Sequence, residues 1–136
     1  MEDFSFQFSY RVGVADINYG GHVANSAVLN FFQDARIAYL ATLGPYSEID
    51  LGGCGIIMPE ANIFFRQEMF LGEQLEIGVR STGLKRSSWT MEYRIERDGT
   101  LTAEGQTALV CFNYETRKPC RMPNEFRMSL TTFEGL

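Results

Sequence analysis

The sequence predicts an α+β fold in which an antiparallel β-sheet wraps around one long helix. Three observations carry that prediction. Phe4, Phe6, Phe8, Tyr10, Val12 and Val14 alternate with small and polar residues, the period of a half-buried strand. The next periodic segment, ending near Leu43, is apolar around most of its circumference, which marks a largely buried helix. From Ile56 almost to the end, the chain reads as strands separated by turn signals.

The elements follow in order. The first strand turns its aromatic face inward and gives way to a polar, glycine-rich stretch. Asn25 or Ser26 can cap the helix, and Gly44-Pro45 stops it. Val28, Leu29, Phe31, Phe32, Ala35, Ala38, Tyr39 and Leu40 make it apolar. A short Tyr46–Leu51 segment and a Gly52-Gly53 break precede a strand over Ile56–Phe65. Leu75, Ile77 and Val79 mark the next strand. Trp89, Met91, Tyr93 and Ile95 alternate with Thr90, Glu92, Arg94 and Glu96 in the one after. Asp98-Gly99 is a two-residue hairpin signal leading into a long strand from Thr100 to about Tyr114. Pro119 and Pro123 close the sheet, and the tail to Leu136 reads as short strand, turn or partly disordered chain. The whole, 1–136, is expected to be one domain. A sheet that wraps one helix leaves an edge open, and side-by-side dimerisation is a natural way to complete it.

Composition narrows the function classes. With 45% hydrophobic and 21% charged residues the chain is an ordinary globular one, and its net charge of −5 argues against coating a nucleic acid. Cys54, Cys111 and Cys120 are odd in number and form no CxxC pair, which fits a reducing compartment and argues against a disulfide framework or a zinc site. No signal or transit pattern opens the sequence, and no apolar run approaches membrane-spanning length. A cytoplasmic protein with no membrane partner is expected.

The stretch from Ala15 to Asn25 concentrates the chemistry. It holds His22, the one histidine of the chain, beside Gly20 and Gly21, and it delivers the N-terminus of the long helix. Unpaired N–H groups there can polarise a carbonyl, because the helix dipole favours developing negative charge. Backbone donors around Gly21, His22 and Val23, with Asn25 beside them, are the candidate oxyanion and substrate contacts.

Arg11 to Leu43 closely resembles the opening of hotdog-fold thioesterases of the 4-hydroxybenzoyl-CoA thioesterase type. Their pattern, Asp-x-Asp-x-x-Gly-His/Ile-Val-x-Asn followed by a helix with an acidic-Ala-Arg triplet, reads here as Asp16-Ile17-Asn18-Tyr19-Gly20-Gly21-His22-Val23-Ala24-Asn25 and Asp34-Ala35-Arg36. The order of the later strands matches as well. The resemblance implies the hotdog fold, dimers or tetramers built from dimers, and hydrolysis of acyl-CoA or acyl-carrier thioesters at a subunit interface, with no cofactor.

One position departs from the family pattern. The second Asp, usually the catalytic carboxylate, falls on Asn18, and an amide cannot serve as a carboxylate base or nucleophile. Asp16 is the nearest replacement in sequence, though it could simply shape its own turn. Asp34 is another, on a helix that carries an acidic catalytic residue in some relatives; its spacing from Phe31 and Ala38 suggests a buried setting, where it could instead pair with a donor. Glu60 could reach the cleft from a partner subunit. His22 could orient water or shuttle a proton. Lys85-Arg86-Ser87-Ser88 is the best phosphate-contacting segment for a coenzyme A arm, ahead of Arg117-Lys118, although such a pair commonly forms a solvated hairpin tip. Two competitors stand beside the thioesterase: a non-catalytic hotdog protein that binds acyl thioesters, which Asn18 would suit, and a hydratase, which lacks its His-Pro-Gly signature here.

Overall fold

The computed structural model describes all residues, 1–136. Its elements run β1 (Phe6–Arg11), a single 3-10 turn (Val14–Asp16), α1 (Asn25–Leu43), β2 (Gly55–Phe65), β3 (Gln74–Thr82), β4 (Ser88–Arg97), β5 (Thr100–Asn113), β6 (Lys118–Pro119) and α2 (Asn124–Glu134). The strands form one antiparallel sheet in the order β1-β3-β4-β5-β2, with β6 added to the end of β5. The α+β class and the long wrapped helix agree with the sequence reading.

Cross-strand rows assign the two faces of the sheet. Val79, Tyr93, Gly105 and Ile63 stand in one row and face α1, whereas Arg80, Glu92, Gln106 and Asn62 occupy the adjacent row and face away. The inner face packs Leu75, Ile77, Val79, Met91, Tyr93 and Ile95 against Phe31, Phe32, Ala35, Tyr39 and Leu40 of α1, all fully buried. Each large apolar side chain taken from water there contributes about 1.5–3 kcal/mol. Phe32 stacks on Tyr93 with ring centroids 4.3 Å apart. The outer face is polar and carries ion pairs such as Arg80–Glu92 at 2.8 Å.

Four differences from the sequence reading have physical causes. The first strand ends at Arg11, because the Asp16 carboxylate accepts the Gly13 N–H at 2.8 Å and closes a 3-10 turn that leaves Val14 exposed. The helix begins one residue earlier than the capping signal suggests: Ala24 is its N-cap, with no side-chain cap. One face of α1 stays uncovered, since a single sheet can contact only one side of a cylinder, and Asn30, Gln33, Asp34, Ile37 and Ala41 are exposed. The tail is neither strand nor irregular chain but the helix α2, which buries Phe126 and Leu130 one turn apart.

α2 is pinned at its far end. The Glu134 carboxylate accepts from the Tyr39 hydroxyl, from the Ser81 N–H at 3.0 Å and from the Ser5 hydroxyl at 2.8 Å. β2, by contrast, is an open edge. It tolerates Pro59 at an irregularity between Ile57 and Glu60, and its second half, Phe64 and Phe65 included, is exposed.

Candidate active site

The stretch from Asp16 to Asn25 forms a small hairpin-like loop. Ile17 bridges to Val23, and the Asn18 N–H donates to the His22 carbonyl at 3.0 Å. The turn between them uses both glycines. Gly21 has φ of +80°, a conformation that side chains disfavour, and a Cβ on Gly20 would lie 3.1 Å from the His22 ring. The Asn18 side-chain oxygen accepts the Gly20 N–H at 2.9 Å, so the amide in the usual acid position is spent on shaping the turn.

His22 Nδ1 lies 3.1 Å from the Val23 carbonyl oxygen. A carbonyl only accepts, so Nδ1 carries the proton and, in the neutral ring, Nε2 keeps the lone pair. Nε2 sits over Gly20. The loop is tied to the far side of the fold by the Val23 N–H, which donates to the Met69 carbonyl at 2.7 Å, and His22 bridges to Phe70.

These bonds redistribute the candidate oxyanion donors. The Gly21 N–H goes to the Asn18 carbonyl and the Val23 N–H to Met69, which leaves the His22 N–H as the unspent donor of the three. Asn25 and Ser26 open α1, and their N–H groups also meet no internal acceptor. Three free donors therefore gather at the start of a 19-residue helix.

His22 and Asn25 line a cleft of about 230 Å³ between the helix start and the segment following β2. Val23, Val28, Phe65 and Met69 give it an apolar side; His22, Asn25 and Glu68 are among its polar residues. Of the residues singled out from sequence, His22, Val23 and Asn25 line it and Gly21 adjoins it.

The candidate carboxylates lie elsewhere. Asp16 Oδ2 accepts from the Tyr10 hydroxyl at 2.6 Å and from the Gly13 N–H. Asp34 is on the uncovered face of α1 rather than in a buried setting; partial burial and then the Asp16 charge raise its pKa above the usual value. Glu60 is exposed on the outer face of the sheet, where it accepts from the Asn62 amide at 3.3 Å. Arg36, third member of the acidic-Ala-Arg triplet, is buried and structural: it donates to Glu48 and to the Tyr93 hydroxyl, each at 2.9 Å.

The cationic segment occupies a second depression. Lys85 and Arg86 share a cavity of about 560 Å³ with Arg121 and Arg127, whereas Ser87 does not line it and its carbonyl accepts the Cys111 N–H. The Arg127 guanidinium donates to the carbonyls of Lys85 and Arg86 and so fixes the hairpin. Arg117 instead stacks over Phe112 and Tyr114. Sequence reasoning missed Glu68, Arg121 and Arg127, because only folding brings them beside the segments that carry recognisable patterns.

Residues 12–130 match the family model described as thioesterase-like superfamily. The chain belongs to this superfamily. Among thioesterase-like relatives, a 1,4-dihydroxy-2-naphthoyl-CoA hydrolase of Synechococcus elongatus is 28% identical over 130 residues, covering 93% of this chain and 94% of the relative. The acyl-CoA thioesterase YbgC of Haemophilus influenzae is 24% identical over 129 residues, covering 93% and 95%. A thioesterase of Thermus thermophilus, solved with coenzyme A and zinc, superposes with a TM-score of 0.87 at 29% identity, over 100% of this chain and 98% of its own. Within this chain no group of three His, Cys, Asp or Glu side chains is gathered.

Proposed function

We propose that this chain hydrolyses acyl-CoA thioesters, releasing a free acid and a thiol, in the cleft at the start of α1. The single observation that carries the reading is that His22 and Asn25, whose N–H groups are unspent, line a cleft with an apolar side at the helix start. An acyl group, fatty or aromatic, fits against Val28, Phe65 and Met69, and its carbonyl oxygen takes the backbone donors. As water adds to the carbonyl carbon, negative charge grows on that oxygen, and each such donor is worth about 3–4 kcal/mol of barrier. His22 Nε2, held by the Nδ1 bond to Val23, can accept a hydrogen bond from the attacking water. The thiolate leaves without needing a strong acid.

The nucleotide end of coenzyme A fits the cavity of Lys85, Arg86, Arg121 and Arg127, where four cations meet in a chain of net charge −5. The open β2 edge, with Phe64 and Phe65 exposed beside it, supports assembly as a homodimer, and the uncovered face of α1 offers further surface for a tetramer. Three free cysteines suit a cytoplasmic location, and no helix is long and apolar enough to cross a membrane.

Asn18 favours one other reading, a protein that binds acyl thioesters without cleaving them. Thiol release from a panel of short, long and aromatic acyl-CoAs separates the two. Turnover of at least one panel member supports the hydrolase; coenzyme A binding with no thiol released from any member supports the binding protein.

A further inference from the structure

We propose that Glu68 is the carboxylate that activates water in this cleft, taking the role that Asn18 cannot fill; the proposal rests on the thioesterase reading above. Glu68 is the one acidic residue among those lining the cleft. The three carboxylates suggested by the sequence are placed otherwise: Asp16 is bonded to Tyr10 and Gly13, Asp34 lies on the uncovered helix face, and Glu60 is on the outer face of the sheet.

The backbone of Glu68 is fixed on both sides, the Gln67 N–H before it donating to the Thr102 carbonyl at 3.1 Å. The Glu68 carbonyl accepts from Arg97 at 2.8 Å, and the next residue, buried Met69, accepts the Val23 N–H from the site loop. Its side chain is exposed and makes no hydrogen bond or ion pair within the chain. The charged and titratable groups around it are otherwise engaged. Arg66 pairs with Glu104 at 3.0 Å, Arg97 with Glu73 at 3.0 Å, and His22 Nδ1 is bound to Val23. A free carboxylate on a braced segment, across a cleft from unspent oxyanion donors, is the arrangement general-base hydrolysis requires.

The step balances as follows. Glu68 takes one proton from a water molecule while the water oxygen bonds to the thioester carbon. The tetrahedral intermediate collapses with cleavage of the C–S bond. The electron pair of that bond leaves on the sulfur, and the proton held by Glu68 passes to the thiolate.

Steady-state kinetics of Glu68→Gln and Glu68→Asp, on the acyl-CoA that the wild-type chain turns over best, test the assignment. General-base participation predicts a kcat loss of about 100-fold or more in Glu68→Gln with KM held within about twofold, and partial recovery in Glu68→Asp. The affinity of Glu68→Gln for free coenzyme A should stay unchanged. Wild-type turnover in Glu68→Gln overturns the proposal and leaves the thioesterase reading intact. Absence of any turnover by the wild-type chain overturns both.

Discussion

The Tyr10 hydroxyl lies 2.6 Å from Asp16 Oδ2 and donates to it. With the Gly13 N–H on the same oxygen at 2.8 Å, this bond makes Asp16 a brace between β1 and the site loop. Chiefly through that hydrogen bond, and then through partial burial, Tyr10 is pushed from 10.0 up to about 12. The folded chain therefore holds its tyrosine proton more tightly than the unfolded chain does. The resulting stabilisation is complete below pH 10.0 and drains away as the pH rises toward about 12. Thermal unfolding measured across this range should show Tm falling, and Tyr10→Phe should fall less steeply over the same interval. Parallel slopes for the two proteins would contradict the coupling.

Asp16→Asn removes the negative charge from the acceptor that holds the turn before the loop and so weakens both of its hydrogen bonds. It should lower Tm and leave kcat on acyl-CoA reduced only modestly, because Asp16 does not line the cleft. Asp34 behaves oppositely. Its pKa is raised by partial burial and by the Asp16 charge, so in its ionised form at neutral pH it works against folding. Asp34→Asn should keep or raise Tm at neutral pH and retain turnover; abolished turnover would make Asp34 the working carboxylate.

Arg36 is a buried cation with two partners, Glu48 and Tyr93. Arg36→Ala leaves Glu48 and the Tyr93 hydroxyl without their donor and opens space beside the Phe32–Tyr93 stack. Denaturant unfolding should show a loss of about 3–5 kcal/mol. An Arg36→Ala/Glu48→Gln double variant should lose less than the sum of the single changes, since the partner charge is removed as well.

Gly105 sits where β2 and β5 meet the helix. A Cβ there would stand 2.2 Å from the Asn62 carbonyl oxygen and 3.0 Å from Phe32. The first obstacle is backbone, so rotamer changes cannot relieve it. Gly105→Ala should cost about 1–3 kcal/mol or more in denaturant unfolding and loosen the strand that leads to Phe65 and the cleft.

Lys85→Ala should raise KM for an acyl-CoA several-fold while leaving KM for the matching acyl-pantetheine thioester, which lacks the nucleotide, unchanged. Arg121→Ala should repeat that pattern, being in the same cavity. Equal effects on both substrates would remove the phosphate role from this cluster.

Much of the architecture was legible because periodicity reports burial directly. The alternation of Trp89, Met91, Tyr93 and Ile95 places all four on the buried face of β4, and Asp98-Gly99 makes the hairpin it signals, with both residues at positive φ. α2 was hidden because its apolar residues are few and follow two prolines, so its helical spacing was overshadowed by turn signals. The site loop was legible as a motif, but its hydrogen bonds were not. Which N–H groups remain free depends on Met69, a residue far along the chain from Val23 that no local pattern connects to it. Glu68 and Arg121 were invisible for the same reason: each belongs to a stretch without a motif and acquires its setting from the fold.

The most direct test of the site is the position of a non-hydrolysable acyl-CoA thioether in a co-crystal structure. The predicted result places the carbon next to sulfur in the cleft, beside the N–H groups of His22, Asn25 and Ser26, with the nucleotide phosphates against Lys85, Arg86, Arg121 or Arg127 of one protomer or its partner. An acyl group bound away from the start of α1, with His22 left in contact with solvent alone, would contradict it.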